Sequence, residues 1–156
     1  MGSLAALFFH PGESDRLEGH PRIVDGDSLN LEGTSVRLKG IDAPELAQVC
    51  RRGADAYRCG EEARQHLARL IGRARVTCEV EGRDRYRRRL ARCMANGSDL
   101  NEAMVRDGWA LGYRAHAGLE REARNARRGM WAGTFERPED WRKAHAASMI
   151  DGKEDD

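Results

Sequence analysis

Residues 22–39 read RIVDGDSLNLEGTSVRLK, and the spacing of their apolar positions decides the fold. Leu29 and Leu31 alternate with Ser28 and Asn30, Glu32-Gly33 reads as a turn, and Val36 and Leu38 alternate with Arg37 and Lys39. Period-two alternation in short runs joined by a turn predicts an antiparallel meander with one buried face, opened by a strand from Arg22 to Val24. The chain leaves the sheet at Ile41-Asp-Ala-Pro-Glu45, because Pro44 has no N–H to give to a ladder. Upstream, residues 10–20 (HPGESDRLEGH) are polar with Gly and Pro and read as a linker. Downstream, Ala63, Leu67, Leu70 and Ile71 place a helical stripe on Glu61–Ile71, ended by Gly72. Val76–Val80 and Arg88–Ala95 read as two strands around a charged loop, Glu81–Arg87, with a turn at Asn96-Gly97. Asp99 caps a short helix reaching Asp107. Glu120–Arg128 reads as a third helix, and Pro138 starts a last helical piece through about Ala147. This order predicts an α+β chain built around a small antiparallel barrel.

With 156 residues, 40% of them hydrophobic and 34% charged, the chain is one globular domain with a heavily ionised surface. That composition excludes a fibre, a coiled coil, a disordered chain and a polytopic membrane protein. The net charge is +1, but the last six residues contribute −3, which leaves +4 on residues 1–150. Arg83–Arg92 holds six Arg and one Asp, a net +5, the footprint of a phosphate-binding surface or of a solvated face. Leu4–Phe9 is six apolar residues, too short for a membrane span. Beside Met1-Gly2-Ser3, which resembles a vector-derived start, it reads as the stub of a membrane anchor, or as a packed arm. The predicted organisation is an arm or linker at 1–20, a domain at 21–148 and an acidic disordered tail at 149–156.

Cys50, Cys59, Cys78 and Cys93 contain no CxxC pair, and the five His are scattered, which argues against zinc. Two disulfides or four reduced thiols remain. Cys78 and Cys93 fall on the two arms of one predicted hairpin, and Cys50 and Cys59 bracket one loop, so the spacing favours the pairs Cys50–Cys59 and Cys78–Cys93. Oxidised pairs would place the protein outside the cytoplasm.

The chemistry gathers around carboxylates. Asp25 and Asp27 lie on one side of an extended backbone, and Asp42 and Glu45 follow a strand of the same meander. Carboxylates converging without His or Cys make an oxygen site suited to Ca²⁺ or Mg²⁺. Taken alone, Asp-Gly-Asp is equally a turn with two solvated aspartates. Arg37, on the strand leading to Asp42, and Arg88, opening the strand after the basic loop, add the guanidinium groups that phosphodiester cleavage needs.

Four segments in order, Ile23-Val-Asp-Gly-Asp-Ser28, Arg37-Leu-Lys-Gly-Ile-Asp-Ala-Pro-Glu45, Asp84-Arg-Tyr-Arg-Arg-Arg-Leu-Ala91 and Asp99-Leu-Asn-Glu-Ala-Met-Val-Arg-Asp-Gly108, resemble the successive motifs of the staphylococcal nuclease (thermonuclease) family. The resemblance covers about residues 22–132. It implies a five-stranded antiparallel OB-fold barrel with about three packed helices, and Ca²⁺-dependent hydrolysis of DNA and RNA with little sequence preference, leaving 3′-phosphate ends; Mg²⁺ and Mn²⁺ rank behind Ca²⁺. By position it implies that Asp27 and Asp42 bind the metal through carboxylates and Ala43 through its backbone carbonyl, with Asp25 behind them. Glu45 would hold the attacking water as base or orienter, and Arg37 and Arg88 would bind the phosphate. Arg87 and Tyr113 are further candidates for substrate contact. Arg87 stands where the family pattern has Gly, so any requirement for positive φ is violated there. The cysteines resemble those of an exported or membrane-anchored bacterial branch, which implies a periplasmic or secreted nuclease domain. No protein partner is implied, and a monomer is expected. The competing readings are a catalytically silent OB-fold module that binds nucleic acid, and a calcium-stabilised structural domain.

Overall fold

A computed structural model describes residues 15–151. The expected anchor stub, Leu4–Phe9, and the tail beyond Asp151 lie outside the described residues. In chain order the strands and helices are β1 (Arg16–Gly19), β2 (Pro21–Asp25), β3 (Ser28–Leu31), β4 (Thr34–Leu38), β5 (Ile41–Asp42), β6 (Cys50–Arg52), β7 (Asp55–Tyr57), α1 (Cys59–Ile71), β8 (Val76–Arg83), β9 (Arg89–Ala95), β10 (Ser98–Asp99), α2 (Leu100–Arg106), β11 (Leu111–Gly112), α3 (Ala117–Asn125) and α4 (Pro138–Asp151).

The α+β class holds, and β2, β3 and β4 form the meander that residues 22–39 announce. The sheet is OB-like, as the resemblance implies, but it is mixed and larger than the five-stranded antiparallel barrel expected. Seven strands pair in the order β1-β8-β9-β4-β3-β2, with β10 added on β9, and β4 runs parallel to β9 through Val36↔Arg89, Arg37↔Leu90 and Leu38↔Ala91. The long excursion from β5 through α1 turns the chain so that its second hairpin returns in the direction of β4. The result is a curled mixed sheet, a half-barrel in which the described strands β1 and β2 are the two edges. Alternation sees the short local pairings but carries no information on the direction in which a distant strand returns.

Part of the stretch read as a linker supplies β1, whose Leu17 sits opposite Cys78 of β8. One apolar residue among charges gives an edge strand little signature. The four helices among the described residues answer to the four helical pieces read from the sequence, one more than the about three that the resemblance implies. Helix α3 begins at Ala117 rather than Glu120, and it ends at Asn125, short of Arg128, because the chain turns left-handed at Arg127, with φ 53°. Asp99 caps α2 as expected, its side chain accepting from Glu102 N at 3.0 Å.

Leu29, Val36 and Leu38 of the sheet pack with Ala63, Leu67 and Ile71 of α1 and with Leu100 and Met104 of α2, all buried. Within this apolar core Asn101 of α2 is buried and hydrogen-bonded. It donates to Lys39 O (2.9 Å) and Ala91 O (3.0 Å) and accepts from Cys93 N (3.1 Å), which fastens β4 to β9 where the two diverge. Both predicted disulfides are formed: Cys78–Cys93 across the β8–β9 hairpin, and Cys50–Cys59 between β6 and the start of α1. In the chain-entropy account each contributes about 2–3 kcal/mol. No helix among the described residues is long and apolar enough to cross a membrane.

Candidate nuclease site

The turn between β2 and β3 carries Asp25 and Asp27. Gly26 between them is packed so closely that a Cβ there would lie 2.8 Å from Ala43 Cβ and 2.9 Å from Ala63 Cβ. The missing side chain lets the turn press against both the Asp42–Glu45 loop and α1. Asp25 Oδ1 accepts from Asp27 N (3.0 Å), an Asx turn that fixes the local backbone. Asp27 is buried; its carboxylate accepts from Ala43 N (2.7 Å) and from the Ser28 hydroxyl (3.1 Å).

Arg37 bridges the two buried carboxylates. Its Nη1 lies 3.1 Å from Asp27 Oδ2, and its Nη2 donates to Asp42 Oδ1 at 3.4 Å. Nη1 also donates to Ile41 O (3.1 Å) and Leu38 O (3.3 Å), so the fork is held by the backbone of its own strand and the next. Burial pushes the Asp27 carboxyl well above its ordinary range and Asp25 adds to this, while Arg37 pulls the other way.

Asp42 follows at the end of β5, and Tyr113 reaches it from beyond β11, donating its hydroxyl to Asp42 Oδ2 at 3.4 Å. Glu45 is set by the buried amide of Gln48: Gln48 N donates to Glu45 O (2.8 Å), and Gln48 Oε1 accepts from Glu45 N (3.2 Å). Gln48 Nε2 donates onward to Glu136 O at 2.8 Å, tying this loop to the segment before α4. A Cβ on Gly60 would overlap the Glu45 carbonyl, so the first turn of α1 closes the loop from behind.

A further residue of the site, Arg142 of α4, has no counterpart among the residues the sequence singles out. Its Nη1 donates to Asp42 Oδ1 (2.9 Å) and Glu45 Oε1 (3.0 Å), and its Nη2 to Asp42 Oδ2 (3.1 Å). These bonds raise its already high basicity. Nothing local marks it, since an Arg on a charged helix a hundred positions from its partner looks like any solvated residue. Gln48 too passed unremarked, as a polar residue in a loop.

Arg88 comes from the β8–β9 hairpin. It donates from Nε to Asp84 Oδ2 (2.7 Å) and from Nη1 to the Ser28 hydroxyl (3.3 Å), one hydroxyl away from Asp27. Burial opposes the charge of Asp84, yet the Arg88 and Tyr86 backbone N–H groups and the Arg88 guanidinium hold its carboxyl below the usual range. Arg87 is exposed at the tip and does not line the cleft. It adopts φ 64°, so the left-handed conformation persists with Arg in place of Gly. A left-handed non-glycine residue costs about 1–2 kcal/mol. Arg87→Gly is therefore expected to stabilise the protein by about 1 kcal/mol once glycine's extra unfolded-state freedom is subtracted. Urea unfolding with an unchanged slope checks this, and a less stable variant would contradict it.

Asp25, Asp27, Arg37, Glu45, Arg88 and Arg142 line one open, polar cleft of about 360 Å³. Among the described residues no three His, Cys, Asp or Glu side chains stand together as a ready-made metal cage. The groups that could hold a hard cation are the Asp27 and Asp42 carboxylates and the Ala43 carbonyl, all oxygen, with water completing the shell. The guanidinium on both oxygens of Asp42 shows that this side of the cleft takes a positive charge.

The family model described as staphylococcal nuclease homologue matches residues 35–133. The chain is 40% identical over 114 residues to the succinoglycan biosynthesis protein ExoI of Rhizobium meliloti (strain 1021), covering 69% of this chain and 59% of that protein. It is 34% identical over 144 residues to protein ParB of Escherichia coli, covering 78% and 76% of the two chains. It is 33% identical over 143 residues to the probable endonuclease LCL3 of Schizophyllum commune (strain H4-8 / FGSC 9210), covering 76% of this chain and 48% of that protein. The matched stretch carries Arg37, Asp42, Glu45, Arg88 and Tyr113, while Asp25 and Asp27 precede it and Arg142 follows it. With most of its sheet and most of its cleft inside that stretch, the chain belongs to the staphylococcal nuclease family.

Proposed function

We propose that the chain is a calcium-dependent nuclease that hydrolyses DNA and RNA with little sequence preference. The observation that carries this reading is the bridging of two buried carboxylates, Asp27 and Asp42, by Arg37 in the cleft that Arg88 also enters. An all-oxygen donor set beside two guanidinium groups suits a hard cation and a phosphodiester together. When bound, the cation would supply electrostatic stabilisation of charge building on the phosphate oxygens. Arg37 and Arg88 hold the non-bridging oxygens, and Glu45 orients or deprotonates the attacking water. Attack expels the 5′ oxygen and leaves a 3′-phosphate. Tyr86, exposed and lining the cleft, and Tyr113, beside Asp42, would offer rings on which bases of the bound strand could stack. Two disulfides favour an oxidising compartment, so the enzyme would act in the periplasm or outside the cell.

One observation favours a catalytically silent nucleic-acid-binding module instead: Arg142 occupies both Asp42 and Glu45. End-labelled single-stranded DNA and RNA, incubated with Ca²⁺, with Mg²⁺ and with chelator, separate the two. The nuclease gives Ca²⁺-dependent fragments ending in 3′-phosphate, abolished by chelation. Binding without cleavage in Ca²⁺, with the disulfides intact, would leave the module.

A further inference from the structure

We propose that Arg142 sets the cation requirement of the site: its guanidinium occupies the seat on Asp42 and Glu45 that a divalent cation and the attacking water need, and α4 carries it away when the cation arrives. The inference rests on the metal-binding reading of Asp27 and Asp42 given above.

A carboxylate offers about four lone-pair positions. On Asp42 all four have a donor: Oδ1 accepts from Arg37 (3.4 Å) and Arg142 (2.9 Å), and Oδ2 from Arg142 (3.1 Å) and Tyr113 (3.4 Å). No cation reaches this buried carboxylate until a donor withdraws. Arg37 is the least free to go, since Asp27 and the Leu38 and Ile41 carbonyls hold its other nitrogen. Tyr113 is held by its backbone, Tyr113 N donating to Gly40 O at 2.9 Å. Among the described residues the Arg142 guanidinium donates to Asp42 and Glu45 and to no other group, so a cation that neutralises those carboxylates weakens what keeps it in place.

The described side chains of the helix that carries Arg142 are mostly exposed. Pro138 is buried at its start, but from Glu139 to Ala146 only Trp141 and Arg142 are other than exposed. Trp141 stacks on His145 of the same helix, with ring centroids 3.7 Å apart. The Arg142 ion pairs tie α4 to β5 and the loop after it, and the tie and the cation draw on the same oxygens. Closing the site on Arg142 supplies Glu45 with a countercharge and Asp42 with a second one beside Arg37, and it raises the cation concentration at which the site fills.

The test is calorimetric titration of the full chain with Ca²⁺, without nucleic acid, for the wild type, Arg142→Met, Arg142→Lys and Lys143→Met. If the competent form is about a tenth of the population, Arg142→Met binds Ca²⁺ about tenfold more tightly than the wild type. Arg142→Lys, which keeps the charge but cannot span both Asp42 oxygens, falls between, and Lys143→Met does not differ from wild type. Amide exchange over residues 139–146 of the wild type speeds up when Ca²⁺ is added, a readout that requires no variant to fold. Equal Ca²⁺ affinity in wild type and Arg142→Met, or exchange in α4 unaffected by Ca²⁺, overturns the inference and leaves the metal site standing. No Ca²⁺ binding by any of the four at millimolar concentrations overturns the metal-site reading and this inference with it.

Discussion

Replacing Arg37 with Met is expected to cost about 3–5 kcal/mol of folding stability, the range for removing one partner of a buried ionic network. Arg37 is the charge shared by Asp27 and Asp42, whose side chains are 8% and 4% exposed. Without it Asp27 keeps a backbone N–H and a hydroxyl but no countercharge, and Asp42 leans on Arg142 and Tyr113 alone. The loss should depend on pH with a definite sign. The Asp27 carboxyl already sits well above its ordinary range in the fold, so the folded state binds more protons than the unfolded one across the interval between the two values. Stability from this group therefore falls as pH rises through that interval. Deleting Arg37 removes the group that pulls the Asp27 carboxyl down, so the interval widens. The gap between wild type and variant should be largest near neutrality and shrink as pH drops into the usual carboxylate range. Urea unfolding at several pH values measures this. A loss below about 1 kcal/mol, or one that grows as the pH falls, would show that the carboxylates do not depend on Arg37.

Glu45→Gln should behave in the opposite way, keeping the fold and losing the reaction. The conformation of this residue is set through its backbone by Gln48 and Gly60, and its side chain bonds to Arg142. Gln keeps the shape and one acceptor oxygen, so stability should change by less than about 1 kcal/mol. As general base or water-orienting group, the carboxylate should contribute about 10²- to 10⁴-fold to kcat. Single-turnover cleavage of labelled DNA at saturating Ca²⁺ separates the chemical step from cation binding. A variant within fivefold of wild type would remove Glu45 from the chemistry and direct attention to water held by the carboxylates alone.

The meander β2–β4, the β8–β9 hairpin, the helical pieces, the cap at Asp99, both cysteine pairs and the cluster of Asp27, Arg37 and Asp42 were legible in the sequence for one physical reason. Each is written by a period, a turn or a short loop acting over a few residues. Leu29, Leu31, Val36 and Leu38 alternate because one face of the meander is buried, and Cys78 and Cys93 oppose each other because one hairpin sets their register. What stayed hidden depends on where distant pieces return. The parallel pairing of β4 with β9 has no local signature, and neither does the edge strand β1, with a single apolar residue that packs under the hairpin. Arg142 shows the limit most clearly, because its role is defined by Asp42 and Glu45, and an exposed helix puts no constraint on the identity of its charges. Arg87 taught a narrower point. The departure from Gly was visible, but whether the backbone would change or the side chain would endure a left-handed turn is a balance of about 1 kcal/mol that sequence alone leaves open.

The parallel contact between β4 and β9 also fixes when the chemistry can exist. Arg37 and Arg88 enter one cleft only after segments centred on residues 36 and 89 have met, and such sequence-distant contacts are the slow ones in folding. On a nascent chain Asp27, Arg37 and Asp42 emerge from the ribosome long before the hairpin that completes them. A chain kept extended by a chaperone or a translocation channel holds the same groups as scattered pieces. On the nuclease reading proposed above, a chain assembled this way has no half-built form able to cut nucleic acid, and the site would become competent in one step, wherever the sheet is finally allowed to close.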